Sequence, residues 1–383
     1  MQNFKKQKVL FVVTEDWYFC SHRLPLALKL IEKGYDVLLA TRVSVHEQRL
    51  VNLGIKVISL NKLRRSSINP IIELLAFFEL YFLIREERPD ILHQVALKPI
   101  IYGSIIALFL KTKFIVNAFG GMGSLFITRK TIFAEIAKFI LLQFFKRLFN
   151  KPQFRVIVQN SHDYKIFQNK ADINSSNLRL IPSAGVELHK FSVFKIESEV
   201  PAAILASRML WDKGVGEFVT AAMELKSEGF KAKFILAGNP DPENPNSISE
   251  RKLRNWHNTG AVEWIGFRND IPKLFSKCWV VCLPSYYGEG VPKVLIEAMA
   301  ASRPIITTTM PGCEDLISVN GQNGILVQPR DSQSLKSALK YLLSDNVRCN
   351  EMGQKGLQLV SQKYSSIKII NDTLKIYEEV CVL

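Results

Sequence analysis

The stretch KVLFVVTEDWYFCSHRLPLALKLIEKGYDVLLAT, residues 8–41, decides the fold class. KVLFVV is a continuous apolar run, HRLPLALKLIEKG has the spacing of an amphipathic helix, and YDVLLAT is a second apolar run. Strands that lack polar alternation and are joined through a helix belong to a parallel sheet covered on both faces. The pattern continues through IKVISL, DILHQV, FIVNAF, FRVIVQN and LRLIP. After a loosely structured stretch, HKFSVFKIESEVP, it restarts with PAAILAS, KFILAG, VEWIGF, WVVCLP, RPIITT and GILVQ. The expectation is an α/β chain of two doubly wound halves. The boundaries read as a first half over 1–187, a linker over 188–200, a second half over 201–365, and a helix over 366–383 returning to the first. With 383 residues, 48% of them hydrophobic, the chain can fill two cores.

Charge divides the halves. Residues 1–185 hold 27 Lys and Arg against 13 Asp and Glu, whereas residues 186–383 hold 23 against 22. The first half is therefore the one expected to meet an anionic partner. Two of its segments, PIIELLAFFELYFLIREERPD and TIFAEIAKFILLQFFKRLFNKPQF, read equally as core helices with basic ends or as helices lying in a membrane interface. In the second reading Phe139, Phe144 and Phe145 enter the apolar layer, and Lys138, Lys146 and Arg147 sit among headgroups. No apolar run reaches the ~18 residues that cross a bilayer. The N-terminus reads as a first strand rather than a signal peptide. Six scattered cysteines, with Cys278 and Cys282 spaced C-x3-C and lacking histidine partners, read as reduced core thiols.

In parallel sheets chemistry gathers at the carboxyl ends of strands. GEGVPKVLIEAMA, residues 288–300, follows WVVCLP, and Pro292 suits the first turn of a helix starting around Val291. Such a start offers free N–H groups and the positive end of the helix dipole to a phosphate. Two carboxylates at its rim, Glu289 and Glu297, then need a reason. Just past PAAILAS, SRMLWDKGVGEF supplies Arg208 and Lys213, a fork and a point charge for a diphosphate. A nucleotide sugar reconciles the two sets: cations hold its diphosphate, and carboxylates accept from sugar and ribose hydroxyls. Glu289 as a turn residue, Glu297 as a solvated helix residue, and the pair as a hydrolase acid and base are the competing readings.

SRMLWDKG together with E-x7-E in GEGVPKVLIEAMA resembles the retaining glycosyltransferases of family 4. IPSAGVELHKF resembles that family's inter-domain signature and VEWIGFRNDIPKLF its base-binding loop. FCSHRLPLALKL, HQVALKPIIYGS and VNAFGGMGSLF are similar to bacterial enzymes that extend undecaprenyl-diphosphate-linked sugars, α-1,3-N-acetylgalactosaminyltransferases among them. The resemblance covers essentially the whole chain. It implies the GT-B fold, two Rossmann-like domains facing a cleft, and transfer of an N-acetylhexosamine, GalNAc favoured, from a UDP-sugar to a lipid-diphosphate-linked glycan for surface polysaccharide assembly.

By carry-over Arg208 and Lys213 hold the diphosphate and Glu289 the transferred sugar. Glu297 takes the ribose, Gly290, Val291, Pro292 and Lys293 complete the donor site, and Gly266 and Phe267 lie near uracil. His22, Arg23, Lys98, Gly121 and Gly123 belong to the acceptor side. The implied reaction uses no metal or other cofactor and is aligned by domain closure. The implied location is cytoplasmic, peripheral on the inner face of the membrane, with an anionic lipid surface and no nucleic acid as partner.

The chain departs from the family in two places. TEDWYFCSH stands where a glycine-rich first loop is usual. His93 is followed by Gln94 and Val95 rather than by a second histidine two residues on, which argues against His93 as a general base and leaves a packed strand-end residue as an equal reading. A UDP-sugar epimerase of the same fold and a basic nucleic-acid-binding protein are the rival functions. An NAD enzyme is disfavoured because no G-x-G-x-x-G follows the first strand.

Overall fold

The computed structural model describes residues 6–67, 69–122, 132–191, 200–318 and 320–379. Contacts divide it into two units, Met1–Ala184 with Ile369–Leu383, and Gly185–Lys368.

The first unit is a parallel sheet in the order β3-β2-β1-β4-β5-β6-β7. Its strands are β1 (Lys8–Glu15), β2 (Asp36–Arg42), β3 (Lys56–Ser59), β4 (Ile91–Val95), β5 (Phe114–Ala118), β6 (Phe154–Val158) and β7 (Leu178–Leu180). Between them run α1 (Asp16–His22), α2 (Leu24–Glu32), α3 (Glu47–Asn52), α4 (Pro70–Glu87), α5 (Leu97–Phe109), α6 (Ile132–Phe149) and α7 (Ser161–Asn169). Central β1 pairs Phe11 with Leu39 on one side and His93 on the other. Both faces of β4 and β5 are buried, which is why their sequences show no alternation.

TEDWYFCSH is not a loop. Its last seven residues form α1, because Phe19 turns under the sheet, edge-on to Phe11 at 5.5 Å, and Asp16 is fully buried. The Asp16 carboxylate accepts from Ser44 N at 2.7 Å, Ser44 Oγ at 2.6 Å and His46 N at 3.3 Å, joining the start of α1 to the loop after β2.

The two apolar helices of this unit carry hydrophobic side chains on both sides. In α4, Ala76, Leu80, Leu83 and Ile84 enter the core, while Ile71, Leu74, Leu75, Phe78 and Phe82 form an outward stripe at i, i+3, i+4, i+7 and i+11. In α6 the exposed apolar set is Ile132, Ile136, Phe139 and Ile140. The expectation that Phe144 and Phe145 face lipid is corrected: Phe145 is fully buried, stacked on Phe149 at 4.8 Å, and Phe144 packs half-buried beside it. Lys146 pairs with Asp172 at 2.8 Å and Lys138 with Glu135 at 3.7 Å. No helix among the described residues is long and apolar enough to cross a membrane.

The second unit is a parallel sheet ordered β10-β9-β8-β11-β12-β13. It contains β8 (Ala202–Ala206), β9 (Lys233–Ala237), β10 (Glu263–Trp264), β11 (Val280–Leu283), β12 (Ile305–Thr308) and β13 (Gly324–Val327). Its helices are α8 (Val215–Ser227), α9 (Glu250–Asn258), α10 (Ile271–Ser276), α11 (Lys293–Ala300), α12 (Ser332–Leu343) and α13 (Asn346–Lys363). The strand order reverses between β8 and β11, and in the first unit between β1 and β4, so each sheet has one switch point.

A last helix, α14 (Ser366–Glu378), begins in the second unit, and from Ile369 onward the chain clusters with the first. Ile369, Leu374, Ile376 and Tyr377 complete the same core layer as Val9, Phe11, Leu39 and Val116. Glu379 caps the arrangement by pairing with Arg155 and, at 2.8 Å, with Arg179.

Candidate functional site

At the switch point of the second sheet, the loops after β8 and β11 touch through their backbones. Trp211–Lys213 make one 3-10 turn after β8, ended by Gly214 at φ 72°. A Cβ on Gly214 would lie 2.1 Å from the carbonyl oxygen of Pro284, so only glycine lets the loops meet. Backbone bonds Met209 N to Asn239 O (3.0 Å) and Ile248 N to Met209 O (2.9 Å) tie in the loop after β9. The loop after β12 supports β11 from the other side. There Pro311 O accepts from Glu289 N at 3.1 Å, and Gly312, at φ 81°, leaves its missing Cβ 2.0 Å from Gly290 O.

This scaffold brings Lys213 Nζ to 2.5 Å from Glu289 Oε1, with both side chains largely buried. Ser285 Oγ lies 2.9 Å from the same carboxylate oxygen. Burial, and then the Glu289 charge, push the neighbouring Cys313 thiol up to about 12, so it stays protonated. Helix α11 starts at Lys293, two residues later than expected, because the residue before a proline is disfavoured in helical geometry, and Pro292 itself is extended (φ −63°, ψ 112°). Gly290, Val291 and Pro292 are buried in the turn before it. Glu297 thus stands just over one turn into the helix, and its carboxylate is 3.1 Å from Lys293 Nζ. Burial raises its carboxyl above the usual range, and the Lys293 charge pulls it back. On the loop after β8, Arg208 Nη1 pairs with Asp241 Oδ2 of the loop after β9 at 2.5 Å.

Each expected cation therefore has a carboxylate: Lys213 with Glu289, Lys293 with Glu297, Arg208 with Asp241. Asp241, Ser285 and Asn239 were not singled out from the sequence. All three lie in loops directly after strands, and reading AGNPDP after β9 as closely as SRMLWDKG after β8 would have found two of them. Gly266 is held at φ 67°, its carbonyl accepting from Gly238 N at 2.7 Å, and Phe267 N donates to Asn239 Oδ1 at 3.0 Å. The Phe267 side chain is exposed.

In the first unit the switch point holds a different set. Arg23 is buried, its Nη1 donates to His22 O at 3.3 Å, and its Nε has no hydrogen-bond partner among the described residues. His22 stacks on Tyr18 at 4.1 Å. His93 is buried, with Nδ1 2.5 Å from Tyr377 Oη, and burial followed by the Arg23 charge holds its pKa well below the ordinary value. Lys98 engages three acceptors: Arg64 O at 3.0 Å, Ser67 O at 2.5 Å and Glu73 Oε1 at 2.8 Å. Gly121 adopts φ 117°, and the next residue, Met122, donates its N–H to Asp163 Oδ2 at 3.0 Å. Gly123 lies outside the described residues.

Residues 8–160 match the protein family described as glycosyl transferase 4-like, and residues 201–345 match glycosyl transferases group 1. The chain is similar to the N,N'-diacetylbacillosaminyl-diphospho-undecaprenol alpha-1,3-N-acetylgalactosaminyltransferase of Campylobacter jejuni, 29% identical across 94% of this chain and 95% of that protein. It is also similar to the UDP-Gal:alpha-D-GlcNAc-diphosphoundecaprenol alpha-1,3-galactosyltransferase of Escherichia coli, 23% identical across 82% of each. Among solved structures, a glycosyltransferase of Rickettsia africae superposes with a TM-score of 0.76 (18% identity, 99% of each chain). HepE of Anabaena in complex with UDP and glucose gives 0.74 (18% identity, 98% of this chain and 100% of that one). At these identities the structural likeness speaks to the fold, which is GT-B.

Proposed function

Because the chain belongs to the glycosyltransferases, with a 4-like first half and a group 1 second half, we propose that it transfers an N-acetylhexosamine, GalNAc favoured, with retention of configuration from a UDP-sugar to an undecaprenyl-diphosphate-linked saccharide. The observation that carries this reading is the meeting of Lys213 and Glu289 across the switch point of the second sheet, directly before the start of α11. A diphosphate there meets lysine charge and free helix N–H groups, and a sugar beside it meets a carboxylate.

In the proposed step the anomeric C–O bond to the diphosphate breaks as an acceptor hydroxyl bonds the same face of the sugar, and the hydroxyl proton passes to the departing diphosphate. Arg208, Lys213 and the N-terminus of α11 stabilise the charge that develops on UDP. The cations at this position favour a reaction without a divalent metal. Two named relatives act on undecaprenyl-diphosphate-linked sugars, which supports that acceptor class. The buried Arg23 beside His22 supports an acceptor-phosphate site in the first unit. Since the three acceptors of Lys98 are all in its own unit, its proposed role is to shape the 61–67 loop around that site.

We place the protein on the inner face of the cytoplasmic membrane, held by anionic lipid. The support is the charge of the first half and the outward apolar stripes of α4 and α6. The deciding experiment incubates the protein, in chelated buffer, with UDP-GalNAc and an undecaprenyl-diphosphate-linked saccharide. UDP released only when the acceptor is present supports the transferase. Conversion of UDP-GalNAc to another UDP-sugar without acceptor would establish the epimerase instead.

A further inference from the structure

In the candidate donor site every cation named above already has a carboxylate partner. Arg208, Lys213 and Lys293 are matched by Asp241, Glu289 and Glu297, each at 2.5 to 3.1 Å. A clamp built simply to attract a diphosphate would leave its cations uncovered. Here the ammonium assigned to the diphosphate already holds the carboxylate assigned to the sugar. The two sit on different strands' loops, so the contact is a product of the fold and not of chain neighbourhood. One ammonium cannot neutralise both a carboxylate at 2.5 Å and an incoming diphosphate, and the two anions would repel across it in a largely buried setting.

We propose that Glu289 is a gate on Lys213: the donor diphosphate displaces the Glu289 carboxylate, which then takes the hydroxyls of the transferred sugar. This inference rests on the donor-site reading above and adds an order to it. UDP without a sugar must displace Glu289 and offers it nothing in return, whereas a UDP-sugar gives the displaced carboxylate new donors. The site thereby discriminates between product nucleotide and substrate, and releases UDP once the sugar has left. Ser285, 2.9 Å from the same carboxylate oxygen, holds Glu289 near Lys213 during the exchange. The same pairing recurs at Lys293 and Glu297, on the side assigned to ribose.

The test is calorimetric titration of UDP and of UDP-GalNAc into the wild type, Glu289→Gln, Glu289→Ala and Lys213→Ala. Glu289→Gln keeps the shape and removes the charge, so it should bind UDP about tenfold more tightly, a change of 1.4 kcal/mol. Glu289→Ala should move UDP binding in the same direction. Both should lose the wild-type preference for UDP-GalNAc over UDP, and both should turn over slowly. Lys213→Ala should weaken UDP binding. If Lys213→Ala weakens UDP but neither Glu289 variant tightens it, the gate is wrong and the donor site stands. If Lys213→Ala leaves UDP binding unchanged while circular dichroism shows it folded, the donor-site reading itself fails and takes the gate with it.

Discussion

Replacing Lys213 or Glu289 by Ala should lower turnover by about a hundredfold or more, the scale on which one preorganised polar contact acts; steady-state UDP release checks this. The residue types of the pair and their places after apolar runs mark them as candidates in the sequence, because the carboxyl ends of parallel strands are where loops can reach a ligand. Their partnership is not legible there, since it depends on β8 and β11 being neighbours in a sheet where sequence order is broken. His93 behaves differently. Its ordinary pKa of 6.5 is strongly depressed in the fold, so between those values the unfolded chain binds the extra proton. Stability contributed by the neutral, Tyr377-bonded imidazole is therefore present above pH 6.5 and is lost as pH falls below it. Denaturant unfolding should show the wild type losing about 1 kcal/mol more than His93→Gln on acidification by one unit below that value. Equal losses would mean that His93 is not the group responsible.

At the scale of elements, the strands are read easily, α1 is not, and α6 is read as a helix without the face it turns to the core. Val-, Ile- and Leu-rich runs such as ILHQV and FIVNA announce strands because both faces are covered. DWYFCSH carries no comparable period, and α1 forms because Phe19 and Asp16 each find a buried place. In α6 the inference from apolar residue to membrane contact failed for Phe145 because the helix is apolar on both faces, and spacing alone does not say which face meets the core. The exposed stripe is Ile132, Ile136, Phe139 and Ile140. The variant Ile136→Asp/Phe139→Asp should fold normally and co-sediment less with anionic liposomes. Each Lys or Arg near the surface adds about 1 kcal/mol, so added salt should weaken binding as well. Binding that is unchanged by the variant would remove α6 from the membrane contact.

At the scale of the whole molecule, a chain shortened to end at residue 368 should lose its first unit. Ile369, Leu374, Ile376 and Tyr377 are nearly or fully buried in that core. At about 1.5–3 kcal/mol each their burial matches the ~5–15 kcal/mol by which a domain is stable. Hydrogen exchange should find β1 and β4 unprotected in the shortened chain and β8 and β11 still protected; protection of all four would show that α14 is dispensable. The helix Ser366–Glu378 was legible as a helix, but the layer it completes was not, because partners such as Val9, Phe11, Leu39 and Val116 lie more than 200 residues earlier in the chain. This has a consequence during synthesis. The seven strands of the first unit leave the ribosome early, yet the side chains that close their core are made only after residues 185–368. At roughly 5–20 residues per second that interval is about 10–40 s. For that time the layer formed by Val9, Phe11, Leu39 and Val116 stands open on a nascent chain, a surface that suits a chaperone and makes translation speed a determinant of yield.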